Sequence, residues 1–300
     1  MNPVIVRVPG STSNCGAGFD TLGLALGIFN EVLLTPGNEP GAVPARESDA
    51  RARGLVDEVV AVFATCTALP VVGFSYRIDG EVPPARGLGS SVTVLAGVLA
   101  GLNHWAGNPL TRERMAALIT KIEGHPDNAT AGVLGGFCVA RCTPTPADFV
   151  DLVRVEIPSH LRFVVVSPAV EVATKASRGI LPERIDHLDA VRSVNSAAYF
   201  TAALVSGDYA RLRGAVEDFL HEPYRLPGIA GAKEAILAGV DAGGLTGWLS
   251  GSGSSVLCLA EAECSGAVGA AMTGAFSALG VRSDVRVLRA DNSGLLVRDA

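Results

Sequence analysis

A two-domain α+β fold is the architecture this chain predicts, on three observations. Segments that alternate like strands and segments with helical spacing follow one another without regular βαβ alternation. The length, 300 residues, is about twice a modal domain. Composition breaks near Thr143 to Asp148, which puts a boundary close to residue 155 and divides the chain into 1–155 and 156–300. No internal repeat is evident.

Val4 to Val8 alternates and reads as a strand, followed by a loop from Pro9 to Asp20 dense in Gly, Ser and Asn, and then a strand from Phe29 to Leu34. Pro36 to Arg53 carries Pro, Gly and charge without a period and reads as an exposed connection. Gly54 to Leu69 places Leu55, Val59, Val62 and Phe63 on one helical face, and Val71 to Ile78 reads as a strand. A second glycine loop, Pro83 to Gly89, runs into an apolar helix from Ser90 to Trp105. Thr111 is an N-cap for a helix carrying Met115, Leu118, Ile119 and Ile122, which ends at Glu123 to Asn128. Gly135-Gly136 then leads into a strand, Phe137 to Arg141. The second half reads as a strand (163–167), helices (187–206, 208–219 and 231–242), two strands (245–249 and 255–260), a helix (265–278) and a strand (281–288).

Several classes are excluded by composition. The longest apolar stretches, Val92 to Leu102 and Ala267 to Val281, fall short of the roughly 20 apolar residues of a bilayer span, so no membrane partner is expected. Met1 to Pro9 lacks the cationic start and apolar block of a secretory signal, which makes a cytoplasmic address the expectation. Net charge is −6, pI is about 5.4 and no basic run is present, which argues against a nucleic-acid partner. Six cysteines form no CxxC pair and read as small buried apolar residues. Only Lys121, Lys175 and Lys233 are lysines; every other side-chain cation is arginine.

Three sites of chemistry stand out. Pro83-Pro84-Ala85-Arg86-Gly87-Leu88-Gly89-Ser90-Ser91 ends at a helix N-terminus, where free amides and the helix dipole favour a phosphate. Taken alone it also reads as an ordinary turn with a Ser N-cap. It is neither a dinucleotide fingerprint, lacking the third glycine, nor a Walker A loop, since no lysine follows a glycine loop. Glu123-Gly124-His125-Pro126-Asp127-Asn128 gathers two carboxylates and an imidazole at a helix end, as a magnesium-phosphate site requires and as a solvated helix terminus would also show. Gly247 to Ser255 reads as a hairpin loop and lacks G-x-S-x-G spacing.

Val8-Pro9-Gly10-Ser11-Thr12-Ser13-Asn14-Cys15-Gly16-Ala17-Gly18-Phe19-Asp20 resembles the first motif of homoserine kinases in the GHMP kinase superfamily. Ala85 to Ser91 resembles that family's phosphate loop, and Leu249-Ser250-Gly251-Ser252-Gly253 its third motif. Glu123 to Asn128, Thr174 to Pro182 and His221-Glu222-Pro223-Tyr224-Arg225 match homoserine kinase patterns in the right order. The resemblance implies a ribosomal protein S5 domain 2-like N-terminal domain and a ferredoxin-like C-terminal domain, with ATP and L-homoserine in the cleft between them. It implies that Pro83, Arg86, Gly87, Leu88, Gly89, Ser90 and Ser91 hold ATP. Ser91 or its neighbour Ser90, with Glu123, would hold Mg2+. Asn14, Asp20, Arg178 and Arg225 would bind the amino-acid substrate, with Asp20 on the ammonium and the arginines on the carboxylate, a role that suits the guanidinium fork. His125, Asp127 and Asn128 would sit at the reacting hydroxyl. A homodimer is an expectation of the resemblance alone.

Departures are modest: Cys15 stands where Leu is usual, Ala17 where Pro is usual, and Ser254-Ser255 where Pro-Thr is frequent. The implied activity is ATP-dependent phosphorylation of homoserine in threonine biosynthesis. Two alternatives stay open: phosphorylation of another small alcohol, such as threonine, a mevalonate-like compound or a sugar, and a nucleotide-binding homologue without turnover.

Overall fold

The computed structural model describes residues 1–38, 40–143, 147–172, 174–213 and 215–300, with the backbone alone at 174 and 175. The composition break near Thr143 to Asp148 therefore falls partly outside the described residues, as does the side chain of Lys175.

Strands β1 (Val4–Ser13) and β2 (Leu22–Pro36) form an antiparallel pair from Val4↔Leu34 to Ser13↔Gly23, with a register shift at Pro9/Gly10. The polar stretch expected as loop from Pro9 onward is thus strand as far as Ser13. Tertiary partners explain the difference: Ser11, Thr12 and Ser13 are buried, the Thr12 hydroxyl accepts from Trp248 Nε1 at 3.0 Å and shares a 2.9 Å hydrogen bond with Ser250 Oγ, and Ser11 and Ser13 bond to Asn128, which makes burying these hydroxyls affordable. The connection expected to be exposed contains β3 (Ala42–Pro44) and a 3₁₀ turn over Glu47–Ala52. Its Asp49 carboxylate is buried between Arg46 and the Ile78 amide.

Helix α1 (Arg53–Thr67), strand β4 (Phe74–Gly80), and helices α2 (Ser90–Trp105) and α3 (Arg112–Glu123) follow. Thr111 caps α3 by accepting from the Arg114 amide. Helix α2 is apolar on all sides because it is buried on all sides, between β1–β2 and the other helices. Gly97 and Gly101 permit the close contact: a Cβ at either would lie 2.4 Å from Val32 or Leu34 of β2. Helix α4 (Asp127–Leu134) starts right after Pro126, in a stretch that reads from the sequence as a helix terminus with a Pro restart. Strand β5 (Phe137–Cys142) pairs with β2 and with β6 (Phe149–Val155); β6 has no counterpart in the sequence reading.

The second sheet contains β7 (Leu161–Pro168), β8 (Thr246–Leu249), β9 (Val256–Glu261) and β10 (Ser283–Leu288), in the antiparallel order β10-β7-β9-β8. Helices α5 (Thr174–Gly179), α6 (His187–Ser206), α7 (Glu222–Arg225) and α8 (Ala232–Asp241) lie between its first and second strands, and α9 (Ser265–Ala278) between its third and fourth. This is the ferredoxin-like βαββαβ arrangement, elaborated by extra helices. Among the described residues of 208–219 the expected helix does not form; a 3₁₀ turn at Tyr209–Leu212 stands in its place. Farther on, the amides of Glu217 and Phe219 bond to the hydroxyls of Ser196 and Ser193 on α6 instead of to a helix of their own. The chain ends on β11 (Leu296–Asp299), which pairs with β1 of the first sheet.

Among the described residues three apolar cores result. One lies under α1–α4, one beneath α8 and α9, and a middle one joins Leu22, Leu24, Leu26 and Ile28 of β2 to Phe163, Trp248, Leu257 and Phe200. The middle core sets the two sheets against each other, and the cleft above it holds the site. Among the described residues no helix is long and apolar enough to cross a membrane.

Candidate active site

The phosphate loop leaves β4 and reaches α2 through two left-handed glycines, Gly87 (φ 72°) and Gly89 (φ 68°). Gly87 has no room for a side chain, because a Cβ would lie 2.0 Å from the Ser250 carbonyl oxygen. Ser250 Oγ in turn donates to the Gly87 carbonyl at 2.7 Å. The amides of Val172 and Ser255 donate to the carbonyls of Ala85 and Arg86. Arg86 donates to the carbonyls of Pro168 and Val170, tying the loop to the second sheet. The carbonyls of Ala85, Arg86 and Gly87 are thus occupied by the second half of the chain, while that of Leu88 accepts from the Ser11 amide of β1. The first α2 backbone bond runs from Thr93 N to Gly89 O, so the amides preceding it have no helical partner and present a positive helix end.

Between the halves lies a cavity of about 230 Å³ lined by Ser13, Asn14, Phe19, Asp20, the loop from Ala85 to Ser91, Glu123, His125, Asp127, Asn128, Val172, Arg178, Arg225, Gly251 and Ser252. Of the residues expected to form the site, all but Pro83 are on this wall. A second hollow of about 400 Å³ shares Ala85, Ser90 and Ser91 with it and extends to Asn30, Leu55, Ile78, Val94 and the 48–52 segment.

Helix α4 and its cap bring the acid-base groups together. His125 Nδ1 lies 2.6 Å from Asp127 Oδ1, and the Asn128 amide donates to the same oxygen at 2.6 Å. Burial opposes charge on both groups, yet their mutual attraction prevails: the imidazole is pushed up to about 9 and the Asp127 carboxyl is held below its ordinary value. Asn128 accepts from Ser11 Oγ at 2.8 Å and donates to Ser13 Oγ at 3.0 Å, locking α4 onto β1. Gly23 is obligatory beneath, since a Cβ there would lie 2.0 Å from the Asp127 carbonyl. Glu123, at the end of α3, is raised by burial, an effect reduced by His125 and by its hydrogen bond with Ser91.

At the other end of the cavity, the loop after β1 holds Asn14 and Asp20 in left-handed conformations. Asn14 accepts from the Asp20 amide and donates to the Gly251 carbonyl. Arg178 forms a two-pronged ion pair with Asp20, at 2.9 and 2.8 Å, and that bond raises its pKa. Arg225 is buried, with its guanidinium bonded to the Ser177 and Gly251 carbonyls and to His221. Burial, with Arg178 nearby, lowers it to about 10. No carboxylate of a described residue lies within ion-pair distance of it.

Phe19 belongs to the site, and His221 stands behind it against Phe19 and Arg225, although neither was singled out from sequence. The Phe19 ring lines the cavity and has the guanidinium carbons of both Arg178 and Arg225 at 5.3 Å from its centroid. Each residue sat inside a quoted motif, but nothing local distinguishes an apolar ring destined for an active site from one destined for the core.

The model of the GHMP kinases N terminal domain matches residues 54–136. The homoserine kinase of Moorella thermoacetica is 37% identical over 98% of this chain and 99% of its own, and that of Microchaete diplosiphon is 34% identical over 98% and 97%. The crystal structure of homoserine kinase from Cytophaga hutchinsonii superposes with a TM-score of 0.89 at 27% identity, covering 99% of this chain and 98% of that one. The Streptococcus pneumoniae phosphomevalonate kinase has the same fold, with a TM-score of 0.69 at 15% identity, covering 96% and 100%.

Proposed function

The chain belongs to the homoserine kinase family, and from that premise we infer that it transfers the γ-phosphoryl group of ATP to the side-chain hydroxyl of L-homoserine, giving O-phospho-L-homoserine for threonine biosynthesis. The observation that carries the reading is one cavity joining an amide-lined anion site to a clamp for a zwitterion: Ser90 and Ser91 at one end, Asp20, Arg178 and Arg225 at the other.

The triphosphate would lie against the amides of the 87–91 loop at the α2 N-terminus, and the nucleoside in the adjoining hollow walled by Leu55, Ile78 and Val94. Ser91 and Glu123 suit Mg2+, because they offer only oxygen donors and stand beside the loop. Asp20, His125 and Asp127 also place ligand atoms within 4.8 Å of one another, but His125 is held protonated by Asp127 and Asp20 is engaged by Arg178, so that cluster is a poor cation site. The metal, when bound, neutralises charge developing on the phosphoryl oxygens.

The protein's own contribution is alignment. Asp20 would take the substrate ammonium, and Arg178 and Arg225 the carboxylate. That anchoring points the side-chain hydroxyl at Asp127 and Asn128. Asp127, with its lowered pKa, is a weak base for an alcohol; it accepts the hydroxyl hydrogen bond and orients the oxygen for in-line attack. The charged His125 holds Asp127 in place and adds positive potential near the transferring group.

An ADP-release assay comparing homoserine, threonine, serine and mevalonate tests the function. Turnover of homoserine is expected; its absence beside good activity on another alcohol would overturn the assignment.

A further inference from the structure

The His221 imidazole is fully buried where three parts of the clamp wall meet. Nε2 lies 2.9 Å from the Gly16 carbonyl oxygen, and Nδ1 3.4 Å from Arg225 Nη1. The ring stacks on Phe19 with centroids 5.3 Å apart and an interplanar angle of 28°. These partners determine where the proton sits. A carbonyl can only accept, so Nε2 carries the hydrogen; a guanidinium can only donate, so Nδ1 must offer its lone pair. The neutral Nε2–H tautomer alone satisfies both.

The charged groups facing the ring agree with that state. Asp218 Oδ2 is 3.6 Å from Nε2, but its oxygens already accept from the amides of Leu220, His221 and Glu222. Asp20 acts from across the cavity and Arg225 from the next turn of α7. Burial, reinforced by Arg225, outweighs Asp218 and keeps the imidazole below its ordinary pKa.

We propose that His221 is the positioning residue of the carboxylate clamp: it anchors Arg225 through Nδ1, and through its stack it fixes Phe19, against which both Arg225 and Arg178 stand. The inference rests on reading this cavity as the homoserine site. Its logic lies in the neutrality of the anchor. Among the described residues every hydrogen-bond partner of Arg225 is uncharged: the Ser177 and Gly251 carbonyls and an imidazole lone pair. A carboxylate in the place of His221 would orient the guanidinium equally well but would neutralise the charge that the substrate carboxylate needs.

Three variants separate the contacts. His221→Gln keeps a donor at the Nε2 position, His221→Asn keeps an acceptor at the Nδ1 position, and His221→Phe keeps only the stack. In His221→Gln and His221→Phe the KM for homoserine should rise about tenfold, the value of one hydrogen bond to a charged group. The KM for ATP and kcat should stay within about twofold, and His221→Asn should recover part of the loss. Nitrogen-15 NMR of the wild type at neutral pH should show the neutral Nε2–H tautomer, a readout that needs no variant to fold. An Nδ1–H or doubly protonated ring, an unchanged KM for homoserine, or parallel rises for homoserine and ATP would each overturn the role. Failure of the homoserine reading shows in the wild type's own turnover, whereas failure of this inference shows in the variants and the tautomer.

Discussion

Arg178 grips both carboxylate oxygens of Asp20, at 2.9 and 2.8 Å, across the cleft between the two halves of the chain. The two groups proposed to receive opposite ends of a zwitterion therefore neutralise each other until the substrate arrives. On that reading, binding would exchange one ion pair for two, so the clamp need not be held open as separated bare charges.

Arg178→Ala and Arg225→Ala should each raise the KM for homoserine roughly ten- to a hundredfold, while the KM for ATP is little changed. Arg178→Lys should restore only part of the loss, because an ammonium cannot grip a carboxylate with two parallel bonds. Steady-state kinetics on homoserine and on an amino alcohol lacking the carboxylate checks this. Equal losses on both substrates would remove the arginines from carboxylate recognition.

Glu123→Gln should shift the magnesium dependence. Removing the only formal charge from the Ser91–Glu123 pair should raise the Mg2+ concentration needed for half-maximal rate about tenfold or more. Titrating the metal at saturating ATP and homoserine reads it directly, and an unaltered titration curve would place the ion elsewhere.

Two glycines should respond in opposite directions. Gly87→Ala sets a Cβ against the Ser250 carbonyl at a left-handed φ, so it should destabilise the fold by about 2 kcal/mol or more and abolish ATP binding. Gly274, within α9, has nothing within 4 Å of where its Cβ would be, so Gly274→Ala should stabilise by about 0.5–1 kcal/mol. Chemical denaturation measures both, with an ATP thermal shift for the first.

Glu222 gives a pH signature. Burial raises its carboxyl to about 8, against which the Leu249 amide, bonded to Oε1 at 2.7 Å, pulls only partly. With the folded pKa above the unfolded one, the native state holds the proton more tightly, so this group's stabilisation is present below about 4.5 and lost as pH rises towards about 8. Glu222→Gln keeps an acceptor for Leu249 and removes the charge. It should match the wild type near pH 4.5 and exceed it by about 2 kcal/mol above pH 8, a value reduced from the full shift because the side chain is half-buried. Parallel denaturation curves at all pH values would show that the carboxyl titrates normally.

The limits of the sequence are clearest at particular residues. Helix α2 was legible to both ends, Ser90 and Trp105, because an unbroken apolar run after a glycine loop is a local signal. So were α6 and α9, which have the bounds expected of them. Ser11 to Ser13 looked like loop because polar residues carry no strand signal of their own; the partners of Thr12, Trp248 and Ser250, are more than two hundred positions away, and Asn128, the partner of Ser11 and Ser13, more than a hundred. The 208–219 stretch looked helical because its composition allows a helix, whereas the Ser196 and Ser193 hydroxyls of α6 take the amides of Glu217 and Phe219.

By itself the sequence determined the three glycine loops, the arginine-rich and lysine-poor cation set, and the order of motifs that point to a kinase of small alcohols. Glycine excess and motif spacing are local facts, written in the chain before it folds. Tertiary structure alone decided that Gly87 meets Ser250, that Asp20 meets Arg178 and that His221 meets Gly16 and Phe19. Those contacts join segments up to 205 positions apart and depend on close packing and charge complementarity across the cleft, which exist only once both sheets have formed.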